Sequence, residues 1–348
     1  MKKIRVLIVD DSAIVREILA ERLSLDPRIE VVGTAVDPYI ARDKLEKIDV
    51  DVITLDIEMP RMDGLTFLRQ LMKHFPKPVI VVSSLAKDEN PAAMKALELG
   101  AVDVVPKPGG PFSVETVVDL LIDRIVAASE VNMPRLRECV IDGPGEPAEK
   151  TARNYLAGIR TTNQLIAIGT STGGTIALEA IFRDWEPDFP PTLAVIHMPE
   201  KFTATFAARL NELSRATVKE AAQGDRLAPG TVYIAPGNYH MVLRTQGTER
   251  TIKIAAGPKV CNQRPAVDPL FFSVAEQVGR NCIAVLLTGM GRDGAQGLHR
   301  IHESGGYTIA QDEASSIVWG MPKEAIDLGA ADTVLPLDGI VRHIRSRL

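Results

Sequence analysis

Five side chains able to handle a phosphoryl group stand near the ends of apolar runs early in this chain: Asp10, Asp11, Asp56, Ser83 and Lys107. Three carboxylates brought to one edge repel each other. A hard divalent cation such as Mg²⁺, held by oxygen ligands, relieves that repulsion. One carboxylate can then attack a phosphoryl group, while Lys107 and the Ser83 hydroxyl bond and neutralise the transferred oxygens. A second set, suited to attack on a carbonyl, follows later. Ser171 lies in the turn Gly169-Thr170-Ser171-Thr172-Gly173-Gly174, His197 ends another apolar run, and Asp293 lies in a glycine-rich turn after a third. Taken singly, each of these residues reads more simply as a solvated loop residue, a helix cap or a packing residue. The joint placement carries the functional reading.

The serine turn fits G-x-S-x-G through Gly169, Ser171 and Gly173. It also resembles a dinucleotide fingerprint with Ser171 in place of the second glycine. The next apolar run, 192–196, separates the two. It ends in His197, where a dinucleotide site wants an acid for the ribose and a hydrolase wants a base near the serine. Asp293 would then orient the imidazole, and the main-chain N–H groups of Thr172 and Met290 are candidates for an oxyanion hole. The order Ser, His, Asp differs from the Ser, Asp/Glu, His order of α/β-hydrolases, so the geometry is expected to be convergent with that fold. His74, His240, His299, His302 and His343 are expected in surface or packing roles. His299 and His302 are three apart on an expected helix, without an evident third metal ligand.

The elements that must position these residues follow from periodicity. Runs at 6–9, 29–36, 50–55, 78–82 and 102–105 read as buried strands. Segments 12–25, 38–47 and 91–99 read as helices, the first through Ile14, Ile18, Leu19 and Leu23. Strands alternating with helices predict a doubly wound parallel sheet, and such sheets bind ligands beyond the carboxyl ends of their strands. The strand-like runs 164–168, 192–196 and 283–287, with a helix over 175–182, predict a second doubly wound α/β domain at 163–348. Between the two, residues 126–162 read as a linker, broken by Pro134, Gly143-Pro144-Gly145 and Pro147, although 135–140 can pack.

Composition agrees with two soluble domains. The 348 residues suffice for two cores. A net charge of −5 argues against a general nucleic-acid binder. Three cysteines without metal-ligand spacing fit a reducing compartment. No apolar run approaches the roughly 18 residues of a membrane span. The basic residues 1–5 precede only four apolar residues before Asp10, too few for a signal peptide. A cytoplasmic protein, not inserted in a membrane, is expected.

Residues 1–125 resemble a response-regulator receiver domain through Val9-Asp10-Asp11-Ser12, Leu55-Asp56-Ile57-Glu58-Met59-Pro60, Met62-Asp63-Gly64, Val82-Ser83-Ser84 and Lys107-Pro108. The resemblance implies a flavodoxin-like, five-stranded sheet with Asp56 as phospho-acceptor. It further implies Mg²⁺ on Asp11, Asp56 and the Glu58 carbonyl, with Asp10 assisting through water, and Ser83 and Lys107 on the phosphoryl group. Val104 stands where many receivers carry an aromatic switch residue. Residues 163–348 resemble the catalytic domain of chemotaxis protein-glutamate methylesterases (CheB-type). The matching pieces are the serine turn, His197-Met198-Pro199, Tyr233-Ile234-Ala235-Pro236-Gly237, Leu287-Thr288-Gly289-Met290-Gly291-Arg292-Asp293-Gly294 and Met321-Pro322.

That second resemblance implies a serine esterase, needing no cofactor for hydrolysis, that removes methyl groups from glutamates on chemoreceptor cytoplasmic helices. Many members also deamidate glutamines. It implies a receiver that covers the active site until a chemotaxis histidine kinase phosphorylates it. Glu200-Lys201 departs from the second proline and glycine common after the Met-Pro pair. Two other classes remain at this point. A response regulator with a DNA-binding output is weakened by 18 Lys and Arg against 19 Asp and Glu in 163–348, with no basic helix. A nucleotide-binding regulatory protein is weakened by His197.

Overall fold

The structure, a computed structural model, describes residues 2–83, 90–107, 113–141, 163–247 and 249–348. Of the positions named above, Ser84, Pro108 and the part of the linker from 142 to 162 lie outside the described residues. The chain divides into two compact units between Gly143 and Pro144.

In the first unit β1 (Ile4–Val9), α1 (Ala13–Leu23), β2 (Ile29–Ala35), α2 (Pro38–Leu45), β3 (Val52–Asp56), α3 (Gly64–His74), β4 (Val79–Ser83), α4 (Asn90–Glu98), β5 (Asp103–Pro106), α5 (Val114–Ser129) and α6 (Met133–Ile141) follow one another. The strands pair in parallel in the order β2-β1-β3-β4-β5, the flavodoxin-like order. With both faces of the sheet covered, β3 and β4 are buried at every residue. Four helices carry their own N-caps. Ser12, Asp37, Asp63 and Ser113 accept from the N–H groups of Val15, Ile40, Thr66 and Thr116, satisfying donors that a helix start leaves free.

Two features depart from the periodicity reading. Helix α3 was not among the expected elements, although Phe67, Leu68, Leu71 and Met72 form its buried face. The start of the expected linker is helical. Helix α5 runs on to Ser129 and α6 follows, with Leu136 buried. Pro134 does not break α6 because it is the second residue, in the first turn, where its missing N–H would be unpaired anyway.

In the second unit the order is β6 (Leu165–Thr170), α7 (Gly174–Arg183), β7 (Thr192–Ile196), α8 (Phe202–Leu213), β8 (Thr217–Glu220), β9 (Thr231–Ile234), β10 (His240–Gln246), β11 (Glu249–Ala255), α9 (Val267–Gln277), β12 (Cys282–Leu286), α10 (Ala295–Glu303), β13 (Tyr307–Gln311), α11 (Met321–Asp327), β14 (Thr333–Leu335) and α12 (Leu337–Arg347). Seven strands pair in parallel as β14-β13-β12-β6-β7-β9-β8, and β10 and β11 form a separate antiparallel hairpin. The chain starts in the middle at β6, builds outward through β7, and later returns to the other side of β6 with β12. The crevice between β6 and β12 is therefore the topological switch point, where such sheets place their ligands.

Candidate active site and phospho-acceptor site

Three neighbouring strands of the second sheet deliver three side chains to one end. Ser171 follows β6, His197 follows β7 and Asp293 lies in the turn after β12. All three are buried, at 6%, 5% and 2% exposure. Ser171 Oγ is 3.0 Å from His197 Nδ1, and His197 Nε2 is 2.7 Å from Asp293 Oδ2. The familiar serine-protease arrangement places the carboxylate at Nδ1; here the ring is reversed. The tautomer with its hydrogen on Nε2 donates to Asp293 and leaves the Nδ1 lone pair for the serine hydroxyl.

Asp293 is held from a second direction. Its Oδ2 accepts from the Val267 N–H at 2.6 Å and its Oδ1 from the Asp268 N–H at 3.0 Å. Helix α9 has no side-chain cap of its own, so Asp293 caps it from across the fold. Burial pushes the Asp293 carboxyl upward, but the His197 hydrogen bond and charge, with the two N–H groups, hold it below the ordinary carboxylate range.

Asp268 was not singled out from the sequence, which raised no expectation of the helix α9 it lies in. It is buried, its Oδ1 accepts from the Gly297 N–H at 2.7 Å, and it thereby serves the start of α10, which also lacks a side-chain cap of its own. Burial and the Asp293 charge raise its pKa to about 6. One ligand-type atom from each of Cys261, Asp268 and Asp293 lies within 4.8 Å of the others. Both carboxylates are committed to main-chain N–H groups, so closeness here does not make a metal site.

The Ser171 turn is packed tightly. A Cβ on Gly289 would fall 2.8 Å from the Ser171 Cβ, so only glycine lets the Gly289-Met290 loop approach the serine. Among the described residues, the Thr172 and Met290 N–H groups have no hydrogen-bond acceptor. Of the other histidines, His240 is buried between Pro258 O and the Ala266 N–H, and His343 bonds and stacks on Tyr307. His299 and His302 lie near Glu303 and Asp332. These contacts are packing and surface ones.

In the first unit, Asp10 and Asp11 follow β1, and Asp56 ends the neighbouring β3. Asp10 and Asp56 are buried and Asp11 is exposed. One oxygen from each lies within 4.8 Å of the others. Lys107 Nζ is 2.7 Å from Asp56 Oδ2 and 3.6 Å from Asp10 Oδ2. The Lys107 N–H donates to the Ser83 carbonyl, which brings the ends of β4 and β5 to the same edge. Glu58 donates its N–H to Asp56 Oδ1 at 3.2 Å. Helix α3 starts directly behind: a Cβ on Gly64 would fall 2.1 Å from the Asp56 carbonyl oxygen.

Burial pushes the Asp56 carboxyl up to about 6, against the pull of Lys107 and with a further push from Asp10. Asp10 is raised as well, chiefly by burial. Its Oδ2 is buried and, with Lys107 Nζ no nearer than 3.6 Å, has no close hydrogen-bond donor among the described residues. Clustered carboxylates with one unsatisfied buried oxygen suit a hard, oxygen-seeking cation.

The sequence model of the family described as CheB methylesterase matches residues 166–344, and that of the response regulator receiver domain matches residues 6–119. A protein of Syntrophus aciditrophicus named protein-glutamate methylesterase/protein-glutamine glutaminase 2 is 52% identical over 344 residues, covering 99% of each chain. The chain belongs to the CheB methylesterase family. A CheB methylesterase relative in Bdellovibrio bacteriovorus, named protein-glutamate methylesterase/protein-glutamine glutaminase, is 48% identical, covering 100% of this chain and 98% of its own. The crystal structure of the CheB methylesterase catalytic domain of Thermotoga maritima is 41% identical, with a TM-score of 0.52, covering 53% of this chain and 98% of that domain. The receiver match implies Mg²⁺ and a phosphodonor kinase in general terms. Among the described residues, no helix is long and apolar enough to cross a membrane.

Proposed function

We propose that this chain is a cytoplasmic, phosphorylation-activated serine esterase. It hydrolyses glutamyl methyl esters on the cytoplasmic helices of chemoreceptors and so resets their sensitivity. The continuous Ser171–His197–Asp293 hydrogen-bond chain carries this reading. Ser171 Oγ attacks the ester carbonyl as His197 Nδ1 takes its proton. The tetrahedral oxyanion lies against the Thr172 and Met290 N–H groups. Collapse expels methanol, which leaves with the proton held on Nδ1. Water, deprotonated by the same nitrogen, then cleaves the acyl-enzyme to free the glutamate and Ser171. Asp293 fixes the tautomer and stabilises the charged ring. Attack on a glutamine amide at the same serine releases ammonia instead, the second activity in the relatives' names.

In the receiver, Asp56 takes a phosphoryl group from a chemotaxis histidine kinase. Asp11, Asp56 and the Glu58 carbonyl would hold Mg²⁺, with Asp10 bonding through water. The ion supplies charge neutralisation between the carboxylates and the phosphoryl oxygens. Ser83 and Lys107 bond those oxygens. The receiver spans residues 1–125 and the esterase 163–348, with 126–162 joining them and its helical start packed on the receiver. Methanol release from a methylated chemoreceptor fragment tests the whole reading. Acetyl phosphate with Mg²⁺ should raise the rate of the full chain and leave Asp56→Ala at its basal rate. Equal rates with and without the phosphodonor would remove the switch, and no methanol under either condition would remove the esterase.

A further inference from the structure

The residue that completes the serine site beyond its three members is Thr288, just past the end of β12. It is 1% exposed, and each of its polar atoms is engaged. Its carbonyl accepts from the Ser171 N–H at 3.0 Å and from Thr170 Oγ1 at 2.8 Å. Its hydroxyl lies 3.0 Å from the Thr172 carbonyl and 3.1 Å from the Val318 carbonyl, and accepts from the Val318 N–H at 2.9 Å. Its own N–H donates to Gln311 Oε1 at 2.8 Å, and the Gln311 amide is anchored on the Ser315 carbonyl.

The consequence is local and geometric. The peptide before Ser171 is fixed through the Ser171 N–H by the Thr288 carbonyl. The peptide after Thr172 is fixed through the Thr172 carbonyl by the one hydrogen of the Thr288 hydroxyl, since the Val318 carbonyl already accepts from the Gly289 N–H at 3.0 Å. The peptide between them is fixed on its carbonyl side, because Ser171 O accepts from the Gly174 N–H at 2.7 Å. That peptide is trans, so its N–H, on Thr172, points the opposite way. That N–H has no acceptor among the described residues. Three consecutive peptides are thus immobilised around one uncommitted donor.

We infer that the Thr288 hydroxyl is a positioning group that holds the Thr172 N–H aimed at the oxyanion. This rests on the serine-esterase reading and deepens it. A donor held in place before the reaction stabilises developing charge without reorganising. A donor left to swing loses that advantage, since a displacement of about 1 Å can cost roughly a hundredfold. Substrate binding, made elsewhere in the cleft, should barely respond.

The test uses the full chain with acetyl phosphate and Mg²⁺. Thr288→Val keeps the side chain's shape and removes the hydroxyl. It should lower kcat by about 10- to 100-fold and change KM by less than about twofold. Affinity for a boronic acid that forms a tetrahedral adduct should fall with kcat. Thr288→Ser, which restores the hydroxyl, should keep about half of the parent rate or more. A folded Thr288→Val with unchanged kcat, a loss carried by KM alone, or a Thr288→Ser as slow as the valine variant overturns the inference. Should Thr288→Val fail to fold, Thr288→Cys, with its weak donor, decides in the same assay: a fall in kcat with KM held supports the inference, and an unchanged kcat overturns it. Ser171→Ala in the parent keeps the two readings apart. If it retains activity the esterase reading fails, whatever Thr288 does.

Discussion

The two sites occupy equivalent places in two parallel sheets, yet their carboxylates are treated in opposite ways. In the receiver, Asp10 and Asp56 are buried at an acidic edge with one lysine between them. Asp56 is pushed up to about 6 and Asp10 keeps an unsatisfied oxygen. In the esterase unit, Asp293 is buried just as deeply and yet lies below the ordinary carboxylate range, because an imidazole and two main-chain N–H groups converge on it. Burial alone disfavours a charge; the donors around it decide whether the charge survives. The first site is poised for a cation and a phosphoryl group to arrive. The second is complete before its substrate does.

The largest expected effect tests that completeness. Ser171→Ala and His197→Ala should each lower kcat by up to roughly 10⁶-fold. Thermal unfolding should barely change in Ser171→Ala, whereas His197→Ala also takes a donor from buried Asp293 and should lower it. More than a tenth of parental methanol release by a folded Ser171→Ala would break the comparison. Asp293→Asn comes next. The amide favours the wrong tautomer, and kcat should fall by up to roughly 10⁴-fold. Stability should fall by about 1 kcal/mol as well, because the amide nitrogen cannot accept from an N–H at the start of α9. Denaturant unfolding beside kinetics separates the two losses.

The smallest effect belongs to the receiver. A carboxyl whose folded pKa lies above its unfolded value binds its proton more tightly when folded. The stability contributed by Asp56 therefore falls as pH rises from about 4 to about 6. Asp293 has the opposite sign: its contribution is present above the ordinary carboxylate range and is lost as pH falls through its depressed value. With Mg²⁺ on Asp56 as proposed, the ion competes with the Asp56 proton. Its affinity, measured by calorimetry on the full chain, should therefore weaken by up to about tenfold per pH unit below about pH 6. A pH-independent Mg²⁺ affinity between 5 and 7 would place the ion away from Asp56.

The same contrast explains what the sequence revealed. The receiver's strands are short apolar runs, and four of its helices are capped by a residue immediately before them: Ser12, Asp37, Asp63 and Ser113. Local chemistry of that kind is legible, and even α3, missed by periodicity, was announced by Asp63. In the esterase unit, none of α7 to α12 has a side-chain cap from its own N-cap residue. The starts of α9, α10 and α12 are served instead by Asp293, Asp268 and Ser315, each from elsewhere in the chain. Ser171, His197 and Asp293 were readable because each ends or follows an apolar strand. Asp268 and Thr288 were not: Asp268 follows no apolar run, and Thr288, although it follows one, has a side chain with no acid–base signature, so only the fold shows which groups each one holds. The linker's helical start reads in sequence only as a stretch, 135–140, able to pack, because Pro134 looks like a breaker when it occupies a first turn.

The dual employment of Asp293 has a historical corollary. A gene copy released from hydrolysis, but still selected as a binding scaffold, is free to change Ser171 with little penalty to folding. It is not free to change Asp293, since the start of α9 hangs on that carboxylate. Inactive descendants of this fold should therefore lose the nucleophile first and retain the aspartate, a fossil of chemistry kept for its architecture.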